Sequence, residues 1–193
     1  MSKGFNTYLK QWIKKAIPKA IEFEMGTLTN RYYKTHPFNL FKNDYDYAIY
    51  IDGNVTVVSE ITCLYNVAHE SKIGIAMHKH HQRDCAYDEG ELCKVYKKGK
   101  PEDIDKQLNR YRSDGFPQKF GLHEATIIVV DLHNTIAKNL LELWWKEVLS
   151  TESKRDQLSF TYILWKNGYC SCDVGCLGND EYHNPKFRIK KHP

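Results

Sequence analysis

Hydrophobic positions along this chain follow two alternating patterns, one with the spacing of helices and one typical of strands. Residues 1–28 carry apolar side chains every three to four positions and a basic opposite face, which predicts an amphipathic N-terminal helix. Strands are predicted by three runs of aromatic and aliphatic residues: Tyr45 to Ile51, Val55 to Val58 and Thr126 to Leu132. Helical spacing returns in three later stretches: Pro101 to Arg112, Thr135 to Leu149 and Asp156 to Trp165.

The alternation of strands and helices predicts an α/β fold. The length of 193 residues is that of a single domain over residues 1–193, with one core. Residues 168–193 are rich in Cys, Gly, Asn and Asp, so this segment is expected to be mostly loop. Because open α/β sheets bind ligands at the carboxyl ends of their strands, we expect the functional residues there.

The formal net charge of +4 and the pI near 8.6 favour anionic ligands such as diphosphates. This charge is too small to indicate a nucleic-acid partner, and none is expected. The sequence has no run of about 18 apolar residues and no apolar signal-peptide core, so we expect a cytoplasmic location. The basic face of the N-terminal helix fits either solvation or a peripheral contact with the inner face of a membrane. Cysteines in a chain without an export signal are expected to be reduced or metal-bound.

The tripeptide Asp52-Gly53-Asn54 follows the first predicted strand. Oxygen ligands at a strand end suit a hard divalent cation such as Mg²⁺ or Mn²⁺. Asp52 is the natural ligand. The structural alternative is a hairpin turn, because Asp, Gly and Asn are favoured turn residues.

A second polar segment, residues 78–84, has the sequence HKHHQRD and is followed by Glu89. Histidine, arginine and carboxylate groups at this density favour a bound anion or metal, and we interpret His81, Arg83 and Asp84 as candidate ligand contacts. A solvated loop is the structural alternative, and a zinc site of a hydrolase or nuclease is a chemical one.

A third set of polar residues lies beside the last predicted strand and the last predicted helix. His133 and Asn134 follow the strand, while Arg155, Asp156 and Gln157 lie at the start of the helix. Open α/β sheets present catalytic residues at such positions. Asn134 and Asp156 each have a second interpretation as a helix N-cap, which satisfies free backbone N–H groups regardless of function.

Four soft donors lie close together in the C-terminal segment: Cys170, Cys172, Cys176 and His183. They are sufficient in number for a tetrahedral zinc site, although the Cys-x-Cys-x₃-Cys spacing is not that of a standard zinc finger. The alternative is a small packed loop with reduced thiols.

Several separated motifs resemble one enzyme family. In chain order they are RYYK from Arg31, YDYAIYIDGNV from Tyr45, HQRDCAYDEGELC from His81, GL from Gly121, HN from His133, WW from Trp144 and RDQLSF from Arg155. Together they resemble the glycosyltransferase-like domain family found in bacterial polysaccharide gene clusters and in plant Golgi proteins. The resemblance covers roughly residues 30–165.

The resemblance implies a single-domain glycosyltransferase A-type fold, with a mixed sheet flanked by helices and an activated sugar donor. Asp52 stands where that fold has a metal-binding Asp-x-Asp motif, and Asn54 replaces the second carboxylate. His183 is the expected partner ligand for Mn²⁺ or Mg²⁺ from the C-terminal segment. The N-terminal nucleotide-binding strand of such folds is expected to be reduced here, or replaced by the basic helix.

The same resemblance suggests roles for the polar residues. Asp156 is expected to be the main catalytic carboxylate, with Gln157 and Glu89 as further catalytic residues. The expected substrate-binding residues are Arg31, Lys34, His81, Arg83, Asp84, His133, Asn134 and Arg155.

The function implied is transfer of a sugar from a nucleoside-diphosphate donor to a glycan or lipid-linked acceptor in surface polysaccharide synthesis. The alternative is a catalytically inactive subunit of the same fold that binds glycans or nucleotides. A zinc-dependent nuclease built on the histidine-rich segment and the cysteine loop is a third interpretation, which the family resemblance disfavours.

Overall fold

The computed structural model describes residues 26–41 and 45–190 of the chain. Most of the predicted N-terminal helix, residues 1–25, lies outside the described residues, so its basic face and the expected replacement of a nucleotide-binding strand stay predictions. Within the described ranges, no helix is both long and apolar enough to cross a membrane.

The described residues form seven α-helices and six β-strands. The helices are α1 (Gly26–Thr35), α2 (Pro37–Phe41), α3 (Leu64–Glu70), α4 (Ala86–Val95), α5 (Pro101–Ser113), α6 (Thr135–Ser150) and α7 (Asp156–Lys166). The strands are β1 (Tyr47–Ile51), β2 (Val55–Val57), β3 (Ile75–Lys79), β4 (His123–Asp131), β5 (Gly175–Cys176) and β6 (Phe187–Ile189).

The main sheet is mixed and has the strand order β1-β4-β3-β5. Strand β4 is antiparallel to both β1 and β3, and β5 is parallel to β3. The carboxyl ends of β1 and β3 therefore lie at the same edge of the sheet as the start of β4. We call this edge the polar edge, because Asp52, Lys79 and Glu124 lie there.

Strand β4 is central because it is apolar on both faces. Ile128 and Val130 belong to the larger core cluster, with residues of helices α4 to α7, whereas Ile127 and Val129 belong to a smaller cluster with residues of α3, β2 and β6. A strand buried on both faces must be continuously apolar, which is the pattern in the sequence. The expected α/β class, with a mixed sheet flanked by helices, is confirmed.

Helix α6 begins where the sequence predicts. The side chain of Asn134 accepts hydrogen bonds from the backbone N–H groups of Ile136 and Ala137, so Asn134 is the N-cap. The buried Trp144 of α6 donates its indole N–H to the backbone carbonyl of Asp156 at 2.8 Å. This bond ties α6 to the start of α7, so the first residue of the WW motif is part of the scaffold.

The hairpin interpretation of Asp52-Gly53-Asn54 is wrong. Strand β2 does not pair with β1 but forms a separate two-stranded sheet with β6, in which Val55 is opposite Ile189. The turn therefore leads the chain out of the main sheet and leaves Asp52 at its polar edge. The partner strand comes from the segment expected to be mostly loop.

The expectation of reduced or zinc-bound cysteines in the C-terminal segment also needs correction. Cys170 and Cys172 form a disulfide, because the 3₁₀ turn Ser171–Asp173 brings their Cα atoms to 5.2 Å. Cys176 is a free, exposed thiol, and His183 Nδ1 lies 2.5 Å from a carboxylate oxygen of Asp180. The four donors do not assemble into a zinc site.

Candidate functional site at the polar edge of the sheet

Two groups of charged side chains occupy the polar edge. The first, which we call the ion-pair cluster, consists of Arg31, Lys34, Asp52, Arg155 and Asp156. The second, which we call the histidine–carboxylate cluster, consists of His80, His81, Arg83, Glu89 and Glu124. Gln157 connects the start of α7 to the second cluster, because its side-chain amide donates to a carboxylate oxygen of Glu124 at 3.1 Å.

The ion-pair cluster joins helix α1 to the start of helix α7. Lys34 Nζ lies 3.0 Å from Asp156 Oδ2 and 3.6 Å from Asp52 Oδ1. Arg31 Nη2 lies 3.0 Å from Asp156 Oδ1. The side chains of Lys34 and Asp156 are each 5% exposed, so this pair is buried. Lys34 and Asp156 are 122 positions apart in sequence, and only the tertiary fold brings them together.

Asp156 does not act as the N-cap of α7. The N-cap is Arg155, and no side chain forms a capping hydrogen bond there. The carboxylate of Asp156 instead points to the basic residues of α1. Burial opposes its ionisation, but the charges of Lys34, Arg31 and Arg155 outweigh burial and hold the pKa of Asp156 well below its usual range. The carboxylate is therefore ionised at neutral pH.

Asp52 is held by residues that the sequence did not single out. Its Oδ1 atom accepts a hydrogen bond from the Tyr50 hydroxyl at 2.5 Å and one from the Asn30 amide at 3.4 Å. Lys34 Nζ also lies 5.2 Å from the centre of the Tyr50 ring. Tyr50 precedes Asp52 by two residues, a spacing that places both side chains on one face of an extended chain and gives a sequence signal for the pair.

The histidine–carboxylate cluster is organised by His80. Its Nδ1 atom accepts the backbone N–H groups of Gln82 and Arg83, each at 3.2 Å. His80 Nε2 lies 3.1 Å from Arg83 Nη2. Nε2 faces two carboxylates, at 3.5 Å from Glu89 and 3.4 Å from Glu124.

Glu89 is a buried carboxylate with two basic partners. Arg83 Nε donates to Glu89 Oε2 at 2.6 Å, and His80 Nε2 lies 3.5 Å from the same oxygen. Burial raises the pKa of Glu89, but these hydrogen bonds and charges outweigh that effect and lower the pKa to about 2. Glu89 therefore stays ionised and fixes the orientation of Arg83.

Glu181 was not predicted from the sequence. It is 3% exposed, and its Oε2 atom has no hydrogen-bond partner among the described residues. Burial, followed by the negative charges of Glu124, Asp52 and Asp180, raises the pKa of Glu181 to about 7. No local pattern marks this residue, because its burial depends on the docking of the C-terminal segment: Lys79 N–H donates to the Gly178 carbonyl at 3.0 Å.

Each of the three expected metal ligands contacts a different set of partners. Asp52 Oδ1 already contacts Tyr50, Asn30 and Lys34. The side-chain amide of Asn54 donates to the Lys190 carbonyl at 3.1 Å. His183 pairs with Asp180, and its side chain is 86% exposed. Mg²⁺ and Mn²⁺ need several oxygen ligands around one point, so these three residues do not fit such an ion.

His80, His81 and Glu124 do place three ligand atoms within 4.8 Å of one another. Arg83 Nη2 lies 3.1 Å from His80 Nε2, the atom that would bind the ion. A metal at this position would therefore meet the positive charge of the Arg83 guanidinium, which opposes its binding.

Three of the predicted substrate-binding residues lie outside the two clusters. His133 and Asn134 follow the carboxyl end of β4, which is the opposite end of the sheet. There, His133 pairs with Asp46 at 2.7 Å and Asn134 caps α6. The side chain of Asp84 is exposed, and its backbone carbonyl accepts the Gly121 N–H.

Comparison with known proteins identifies the family. The family described as TOD1/MUCI70, glycosyltransferase-like domain, matches residues 28–175, which is more than half of the chain. No curated protein and no solved structure matches the chain significantly. The matched region contains both clusters and ends before Glu181. The chain therefore belongs to the TOD1/MUCI70 family of glycosyltransferase-like domains.

Proposed function

We propose that this protein is a glycosyltransferase that moves a sugar from a nucleoside-diphosphate donor to a glycan or lipid-linked acceptor in surface polysaccharide synthesis. Family membership supports sugar transfer in general. The donor class is supported mainly by one observation, the ion-pair cluster, in which the cations Arg31, Lys34 and Arg155 exceed the carboxylates Asp52 and Asp156 by one.

Unused hydrogen-bond donors in this cluster support an anionic ligand. The Nε atoms of Arg31 and Arg155 are buried and have no hydrogen-bond partner among the described residues. A buried N–H without a partner costs about 1–3 kcal/mol. Guanidinium groups bind phosphate oxygens through pairs of N–H donors, so a diphosphate is a ligand that would satisfy these atoms.

The proposed reaction forms a bond between the acceptor oxygen and the anomeric carbon and breaks the bond from that carbon to the diphosphate. The leaving diphosphate takes the electron pair, and the proton of the acceptor hydroxyl passes to a phosphate oxygen of this leaving group. Fixed cations stabilise the charge that develops on the diphosphate. Arg31, Lys34 and Arg155 are proposed for this role. In the histidine–carboxylate cluster, we propose that the acceptor or the donor sugar is contacted by Arg83, His80 and His81.

The low pKa of Asp156 limits what this residue does. A carboxylate with so low a pKa is a weak proton acceptor, because its basicity falls with its pKa. We therefore assign Asp156 to orienting Arg31 and Lys34 and to accepting hydrogen bonds from sugar hydroxyls. Glu89 and Gln157 are proposed to orient Arg83 and Glu124 through the hydrogen bonds described above.

The test is release of nucleoside diphosphate from a panel of nucleotide sugars, with and without glycan acceptors. Wild type is expected to release diphosphate with at least one donor, and Arg31→Gln to lower kcat/KM by about 100-fold, the effect of losing a charged contact to the leaving group. Arg188→Gln is the matched control, because it makes the same change in net charge at an exposed position on β6.

The outcomes separate the candidate functions. Nucleotide-sugar binding without any turnover would identify the inactive binding subunit instead. Equal loss in Arg31→Gln and Arg188→Gln would show that the ion-pair cluster has no specific role in transfer.

A further inference from the structure

We propose that the Lys34 ammonium takes the place of a divalent cation at the donor diphosphate, so that donor binding does not require Mn²⁺ or Mg²⁺. This inference rests on the proposed function and specifies how its site holds the donor. It differs from what the family resemblance implies, namely a metal held by Asp52, Asn54 and His183.

The position of Lys34 is the first step of the argument. Its ammonium lies between the carboxylates of Asp52 and Asp156, at 3.6 Å and 3.0 Å, and its side chain is 5% exposed. An ion bound at Asp52 would therefore compete with a positive charge that is already there. Burying an ammonium is costly unless it is paired, and the two carboxylates provide that pairing.

The hydrogen bonds of Asp52 are the second step. Its Oδ1 atom contacts the Tyr50 hydroxyl, the Asn30 amide and the Lys34 ammonium. Asn54 is committed to the Lys190 carbonyl, which leaves Asp52 without its sequence neighbour as a second ligand. The carboxylate is therefore arranged to hold Lys34 in place.

The unsatisfied donors are the third step. Arg31 and Arg155 each have a buried Nε atom without a partner among the described residues. Arg31 lies 3.0 Å from Asp156, and Arg155 contributes to the low pKa of the same carboxylate. Three cations thus act on one carboxylate. Together they would supply positive charge and directed contacts to a diphosphate, as a metal ion does through its charge and its coordination bonds.

A second possible metal position, formed by His80, His81 and Glu124, is disfavoured by a neighbouring cation. The ligand atoms of these three residues are close enough to share an ion. However, Arg83 Nη2 lies 3.1 Å from His80 Nε2, so an ion bound there would meet the positive charge of the guanidinium.

The first experiment compares ligand affinity with and without metal. UDP, GDP and inorganic pyrophosphate are titrated into the full chain by calorimetry, first in EDTA and then in Mn²⁺. We expect at least one of these probes to bind in EDTA, with a Kd within about threefold of its value in Mn²⁺. Binding that requires Mn²⁺ would overturn the inference while leaving the proposed function intact.

The second experiment uses Asp52→Asn, for which the two explanations predict opposite signs. If Asp52 binds a metal, the loss of its charge weakens binding of the probe. If Asp52 holds Lys34, the variant removes a negative charge beside the diphosphate and keeps an oxygen acceptor for Tyr50. We then expect binding in EDTA to become tighter by about threefold or more. Weaker binding of the probe to Asp52→Asn in EDTA would contradict the inference.

The third experiment changes Lys34 itself. Lys34→Met is expected to weaken binding in EDTA by about tenfold or more, while Lys34→Arg retains most of it, because the arginine keeps the charge. Lys106→Met, at an exposed position of α5, is the matched control and should have no effect. If Lys34→Met does not fold, the inference is still tested by three measurements: the wild-type comparison with and without Mn²⁺, and the titrations of Lys34→Arg and Asp52→Asn. Absence of binding for every probe in both conditions would overturn this inference together with the proposed function.

Discussion

At the scale of single residues, the most specific prediction concerns Asp156. Its carboxylate is buried and contacts Lys34 and Arg31 from another helix. Removing one partner of a buried ion pair leaves an uncompensated charge, which typically costs about 3–5 kcal/mol. A carboxylate that only capped α7 would tolerate replacement by Asn at almost no cost.

We therefore predict that Asp156→Asn loses about 3 kcal/mol of unfolding free energy and most of its sugar-transfer turnover. The measurements are urea unfolding and turnover of the variant beside wild type. Asp105→Asn is the control, because the Asp105 side chain is 49% exposed and its partner Lys94 keeps a second carboxylate partner in Glu91. Normal stability and turnover in Asp156→Asn would show that Asp156 has only a minor structural role.

At the scale of elements, the junction between β4 and α6 belongs to the scaffold and lies away from the site. Asn134 satisfies two backbone N–H groups of α6, whereas the side chain of His133 is 70% exposed and pairs with Asp46. Both residues were expected to bind substrate. Because β4 is antiparallel to its neighbours, its carboxyl end lies away from the polar edge.

For these positions we predict separate effects on stability and binding. Asn134→Ala should lower the unfolding free energy by about 1 kcal/mol, the usual cost of losing an N-cap, with unchanged affinity for UDP or GDP. His133→Ala should leave both quantities unchanged, because the side chain of His133 is exposed. Weakened nucleotide binding in a well-folded variant of either residue would show that this residue belongs to the binding site.

At the scale of the whole molecule, the C-terminal segment closes against the sheet and makes stability depend on pH. The pKa of Glu181 is about 7 in the folded protein, against an ordinary value of 4.5. A carboxyl group whose pKa is raised by folding favours the folded state while it is protonated. Its contribution is fully present below pH 4.5 and is lost as the pH rises to about 7.

The predicted size of this loss is about 3 kcal/mol of unfolding free energy, an upper figure from the shift in pKa. Urea unfolding of wild type and Glu181→Gln at pH 5 and pH 8 measures it. The variant should be more stable relative to wild type at pH 8 than at pH 5. Glu152→Gln, at an exposed position, is the control. A constant difference between Glu181→Gln and wild type at the two pH values would contradict the burial argument.

The sequence by itself determined the elements whose patterns are local. The apolar run of β4, the helical spacing of α5, α6 and α7, and the Asn134 cap all appear in the structure within a few residues of their predicted bounds. These features depend on neighbours along the chain, so periodicity and capping chemistry are sufficient to find them. The family resemblance, carried by motifs rather than by physics, supplied the expectation of sugar transfer.

Only the tertiary structure decided which polar residues meet. Lys34 pairs with Asp156 across 122 positions, and β2 pairs with β6 rather than with β1. The two carboxylates beside His80 and the raised pKa of Glu181 depend on burial and on partners from other elements. A charge interacts through space and with the solvent around it, and neither distance nor solvent exposure between remote residues is encoded in local spacing. For that reason the sequence identified all five members of the ion-pair cluster as site residues, while only the fold showed that a lysine lies beside Asp52.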